Sequence, residues 1–119
     1  MTRLRIETEQ QGEAAVVRLA GSADMAEVAQ LNRELDGLFR QGLHRLVVDV
    51  SRLEFASSMA LGALIRSHHL CREAQGRMVL VGPGPRLRGV LATTRLTELF
   101  EIADSVDDAL TQCRQSTAD

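Results

Sequence analysis

Leu46-Val47-Val48-Asp49-Val50, followed four residues later by Phe55-Ala56-Ser57-Ser58-Met59-Ala60-Leu61-Gly62-Ala63-Leu64-Ile65, decides the fold class of this chain. The first run is short, β-branched and nearly all apolar, the pattern of a strand buried in a parallel sheet. The second is an uncharged helix start entered through a pair of serines. Strand-to-helix turns are where α/β proteins display their chemistry, so function is sought first at Ser57 and Ser58.

Working outward, the elements alternate. Leu4, Ile6 and Thr8 alternate with Arg3, Arg5 and Glu7, the period of a half-exposed edge strand. After a turn at Gln11-Gly12, Ala14 to Ala20 reads as a second strand that stops at Gly21, so a hairpin opens the chain. From Asp24, the residues Met25, Val28, Leu31, Leu35, Leu38 and Phe39 recur at three and four, one face of a helix ending before Gly42. The second helix spans Ser58 to Ala74, with Leu61, Leu64, Ile65, His68 and Cys71 on one face and Gly76 closing it. Met78 to Val81 is a strand, and Gly82-Pro83-Gly84-Pro85 is a turn into a short helix through Val90 and Leu91. Phe100 to Ala103 is a last short strand and Val106 to Cys113 a terminal helix, with Ser116 to Asp119 a frayed tail. The fold class expected is α/β: a mixed, mostly parallel sheet of four to five strands with an antiparallel N-terminal hairpin and four helices. One domain over residues 1–113 and a tail over 114–119 account for the chain.

Composition narrows the function. With 119 residues the chain can bury one core without staples. A net charge of -2, no Trp, no Tyr and three Phe supply neither a basic footprint nor a stacking platform, so nucleic acid is not an expected partner. The longest uncharged run is the segment 55–65, short of the roughly 20 residues that span a bilayer, and Met1 leads straight to Arg3, Arg5 and Glu7. A cytoplasmic protein without membrane insertion is expected. Cys71 and Cys113 lack metal or redox spacing and read as free thiols.

Catalysis and metal binding find little support. Neither serine lies in a G-x-S-x-G elbow, and no pattern places His44, His68 or His69 beside them. His68 and His69 point about 100° apart on a helix and do not form an i, i+4 metal pair, so His68 reads as a core-edge residue and His69 as a solvated one. In Gly82-Pro83-Gly84-Pro85 the prolines lack donor N–H groups and no GK[ST] follows, so this is a turn rather than a phosphate loop. Arg86, Arg88 and Arg95 read as a solvated helix face, with a small anion patch as the alternative. No cofactor or metal is expected.

The element order and several local words resemble the STAS domain family, the fold of the bacterial anti-sigma factor antagonists. The words are Val17-Arg18-Leu19-Ala20-Gly21-Ser22-Ala23-Asp24, Leu46 to Phe55, Ser57-Ser58-Met59-Ala60-Leu61-Gly62, and Arg77-Met78-Val79-Leu80-Val81-Gly82-Pro83. In switching members the motif reads Asp-Ser-Ser/Thr-Gly-Leu-Gly, and an anti-sigma kinase phosphorylates the serine after the aspartate. Superposing Leu61-Gly62 on that Leu-Gly implies that Ser58 is the phosphoacceptor. Ser57 stands where the family has its aspartate, Met59 where a second hydroxyl is common, and Ala60 where the glycine sits.

The resemblance implies a non-enzymatic binding module that docks on an ATP-binding anti-sigma factor, a serine kinase, through Asp24, Ser57, Ser58, Met59 and Ala60, and the charges Arg3, Arg5 and Glu7 on the edge strand, which discourage pairing with another chain, make a monomer the expectation. The alternatives behind this reading are a cytosolic subunit of a lipid-transporting ABC system and an unphosphorylated scaffold in a signalling assembly. Simpler roles exist for the same residues. A serine here can merely cap the helix, Asp24 with Glu27 forms a capping-box pattern, and Asp49 can organise the turn that carries the serines or accept backbone N–H bonds there.

Overall fold

The computed structural model describes residues 2–115. Strands β1 (Arg5–Gln11), β2 (Ala14–Ala23), β3 (Arg45–Ala56), β4 (Arg77–Val81) and β5 (Glu101–Ala103) form one sheet in sequence order. The first pair is antiparallel and the other three are parallel, as the hairpin followed by strand–helix alternation predicts. Helices α1 (Val28–Arg40), α2 (Ser58–Glu73) and α3 (Pro85–Thr93) connect the parallel strands, and α4 (Val106–Arg114) closes the chain. The expected terminal helix is thus one residue longer. The tail read at 116–119 lies outside the described residues.

The period-2 side chains of the sheet divide into two cores. Ala15, Val17, Leu46, Val48, Met78 and Leu80 pack with Leu31 and Leu35 of α1, Leu61 and Leu64 of α2, and Leu91 of α3. Val16, Val47 and Val79 face the other way, toward Ala109, Leu110 and Cys113 of α4. The central strands are therefore covered on both faces, which is why they read as continuous apolar runs.

Further boundaries differ from the sequence reading. Strand β2 continues through Gly21 to Ala23, because Gly21 takes φ +87° and the pairing with β3 shifts register there. A side chain at this glycine would strike the carbonyl of Arg3. Strand β3 runs 12 residues, so Asp49 sits within it rather than at its end. At the end of α2 the left-handed residue is Gln75 (φ 66°), while Gly76 is needed because a Cβ would collide with the His44 carbonyl.

Candidate functional site

The long β3 carries the chain past the rest of the sheet before it turns. Its last pairing, Ala23 with Ala56, places the residue after each strand side by side, so Asp24 and Ser57 begin neighbouring segments. The Ser57 N–H donates to the Ala23 carbonyl at 2.8 Å and locks the two turns together. Ser57 then caps α2: its hydroxyl accepts from the Ala60 N–H at 3.2 Å. Ser58 is the first helical residue and is exposed. Capping and exposure, open alternatives for the two serines in the sequence, fall on different residues.

Asp24 likewise caps, its carboxylate accepting from the Ala26 N–H at 3.1 Å. It opens a 3-10 turn (Met25–Glu27) before α1 begins. The capping-box reading of Glu27 is corrected: its carboxylate accepts from the Leu4 N–H at 3.2 Å, tying the N-terminal segment to this turn. Because the helical phase starts only at Val28, Met25 is not on the core face as its spacing suggested. It is 69% exposed.

Met59 is 51% exposed beside Ser58, whereas Ala60 is fully buried. As the third residue of α2, Ala60 points at the sheet, so its expected partner contact is withdrawn. Asp49 is also relocated. Its carboxylate accepts from the N–H (3.0 Å) and hydroxyl (2.7 Å) of Ser51 at an irregular stretch of β3, inside a polar groove shared with Arg18 and Arg52. It organises its own strand, not the serine turn.

Next to the serines lies an apolar cavity of about 250 Å³ between the end of β3 and α3, lined by Leu53, Glu54, Phe55, Ala56, Arg86, Leu87 and Val90. The sequence reading ended the strand at Val50 and so did not place Leu53 and Phe55 opposite the short helix that carries Val90. Among the described residues, the large hydrophobics that remain exposed are Met25, Met59 and Val90. All three flank this end of the sheet.

The candidate histidines lie away from the two serines. His68 and His69 lie ten residues beyond Ser58 on the same helix, about 15 Å away along its axis. His44 precedes β3, at the far end from the serines, with its ring stacked on Phe39 at 6.0 Å. His68 is buried and His69 exposed, as expected. The three arginines of the possible anion patch serve separately: Arg88 donates to the Pro83 carbonyl at 3.0 Å, Arg86 lines the apolar cavity, and Arg95 occupies a left-handed turn (φ 61°). Cys71 and Cys113 are free and buried; burial pushes their thiols up to about 12 and about 11, away from thiolate reactivity. No group of three metal-binding side chains occurs among the described residues, and no helix there is long and apolar enough to cross a membrane.

The strand-to-helix turn thus brings together a capping serine, an exposed serine and flanking exposed apolar residues. The chain belongs to the STAS domain family, whose model matches residues 5–109. It is 31% identical over 91 residues to BtrV of Bordetella bronchiseptica, named as a candidate anti-sigma factor antagonist, covering 76% of this chain and 78% of that one. It is 26% identical over 110 residues to the anti-sigma F factor antagonist of Paenibacillus polymyxa, covering 92% and 94%. The crystal structure of an anti-sigma factor antagonist from Mycobacterium paratuberculosis superposes with a TM-score of 0.85 at 26% identity, over 95% of this chain and 96% of that one. The named antagonists are regulatory binding proteins rather than enzymes.

Proposed function

We propose that this protein is an anti-sigma factor antagonist that binds an ATP-using anti-sigma factor through the end of the sheet around Asp24, Met25, Ser57, Ser58 and Met59. Phosphorylation of Ser58 by that same partner ends the binding. The observation that carries this reading is the convergence of the exposed apolar side chains on an exposed serine at a helix N-terminus. The antagonists named above support it as relatives, and the protein acts as a cytoplasmic monomer with one domain.

The physical logic is local. The first-turn N–H groups of α2 lack intrahelical acceptors and tolerate a phosphate, so the modified fold stays intact. Nearly two added negative charges beside Met59 must be desolvated in any complex covering it. A thousandfold loss of affinity needs about 4 kcal/mol, within reach of that cost. Ser58→Asp is therefore expected to weaken binding to the anti-sigma factor at least a hundredfold by calorimetry, whereas Ser58→Ala binds like wild type. Circular dichroism stays native in both. Equal affinities for the two variants would sink the switch. A second reading, the transporter subunit or constitutive scaffold, is favoured by Ser57 standing where the family motif carries an acid. It predicts a partner that binds both variants alike and a Ser58 that is unmodified in cells.

A further inference from the structure

We infer that the cavity between the end of β3 and α3 is the anchor pocket of the docking surface, filled by one large aliphatic or aromatic side chain of the anti-sigma factor. The inference rests on the docking reading above and adds to it a second contact region, away from Ser58. Three observations carry it. The walls are mainly apolar, formed by Leu53, Phe55, Leu87 and Val90, with the exposed Arg86 and Glu54 also lining it. The volume, about 250 Å³, falls below the roughly 300–1,000 Å³ of small-molecule pockets and suits a single inserted side chain. Finally, Ala56 lines the cavity and is followed directly by Ser57, so the pocket is continuous with the surface bearing Ser58 and Met59.

The pocket has a structural origin that suits this use. Strand β4 ends at Val81 and pairs with β3 only as far as Asp49, so β3 residues beyond that point have no β4 neighbour. The gap beside Leu53 and Phe55 is closed on its far side by α3, which reaches it with Leu87 and leaves Val90 37% exposed. An overhanging strand and a short helix thus leave an unfilled apolar slot at the partner-facing end. Binding hot spots are characteristically large side chains seated in such slots, surrounded by contacts that exclude water. One cation and one anion among the lining residues, Arg86 and Glu54, give the incoming segment a register without net attraction.

The test uses the full chain and its anti-sigma factor. Val90→Arg, at a half-exposed position, fills the mouth of the pocket with a charged side chain and is expected to raise Kd at least about thirtyfold. Met59→Lys, on the other side of the serine turn, tests the docking surface itself. Loss of affinity in both variants, with native circular dichroism, supports the pocket. Wild-type affinity in Val90→Arg alongside loss in Met59→Lys overturns the pocket and leaves the docking reading standing. Wild-type affinity in both overturns both. Should Val90→Arg fail to fold, Val90→Cys carries a solvent-sensitive fluorophore, attached selectively because Cys71 and Cys113 are buried. A blue shift on adding the anti-sigma factor supports insertion at the pocket, and an unchanged spectrum overturns it.

Discussion

The two ends of β3 use polar side chains in opposite ways. At its start, Arg45 donates to the Cys113 carbonyl and, at 3.2 Å, to that of Gln115. On the neighbouring strand Arg77 donates to the Gln112 carbonyl at 2.8 Å and pairs with Glu101, 3.0 Å from its Nε. Both guanidiniums thereby donate to carbonyls at the C-terminal end of α4, that of Gln112 also accepting the Gln115 N–H at 3.2 Å, and oppose its dipole. At the other end of β3, Ser57 spends its hydroxyl on a cap while Ser58, Met59 and Met25 are turned to solvent. One end consumes its polar groups to hold α4 on the sheet; the other keeps a hydroxyl and apolar surface in reserve. Stability and recognition are separated by the length of a strand, so charge can change at the serines without loosening the fold.

The largest test of that separation is at the pinned end. Arg77 has only 14% of its side chain exposed, so Arg77→Ala leaves Glu101 without this guanidinium and the Gln112 carbonyl with only the Gln115 N–H. It is expected to cost about 2–3 kcal/mol in urea unfolding, reduced from a fully buried pair because Glu101 is 31% exposed. Affinity for the anti-sigma factor, corrected for the folded fraction, should remain wild type. A fall in intrinsic affinity would show that the two ends are coupled.

Most of the frame was legible because its signals are periodic. Leu46 to Val50 and Met78 to Val81 are apolar on both faces since helices cover both, and the α2 face through Leu61, Leu64, His68 and Cys71 is buried as its spacing requires. The site was legible in part. Asp24 and Ser57 meet through the parallel pairing of β2 and β3, a contact over 33 residues of sequence for which the family resemblance, not periodicity, was the guide. What escaped depends on phase and on overhang. Met25 has helical spacing to Val28, yet a 3-10 turn between them rotates it outward, and Ala60 was assigned to the surface although it is the first α2 residue to face the sheet. The pocket arises where β3 outruns β4, and strand length is what composition specifies least.

At the recognition end the comparison sharpens to two adjacent serines. Ser57→Ala removes the cap on the Ala60 N–H and should cost about 1 kcal/mol, lowering the thermal midpoint by about 4 °C. Ser58→Ala removes no hydrogen bond recorded among the described residues and should stay within about 0.5 kcal/mol of wild type. Differential scanning calorimetry of the pair decides it. Equal losses would mean that Ser58 also supports the helix start, which would weaken its assignment as a free acceptor.

The smallest effect expected is from His68, which lies between the two ends and packs edge-to-face on Phe100 at 5.9 Å. Its pKa is lowered from 6.5, first by burial and then by His69 and Arg72, with Glu101 opposing. Its Nδ1 has no hydrogen-bond partner among the described residues, so the folded state favours the neutral ring. The unfolded chain therefore takes up the proton first: this contribution is complete above about pH 6.5 and is lost as pH falls below that value toward the lower folded pKa. Wild type should lose more stability between pH 7.5 and 5.5 than His68→Leu, which keeps the apolar contact with Phe100 but cannot titrate. Chemical unfolding at the two pH values measures the difference, and parallel losses would place the pH sensitivity elsewhere. Because His68 is ten residues from Ser58, affinity corrected for folded fraction should change equally with pH in both proteins.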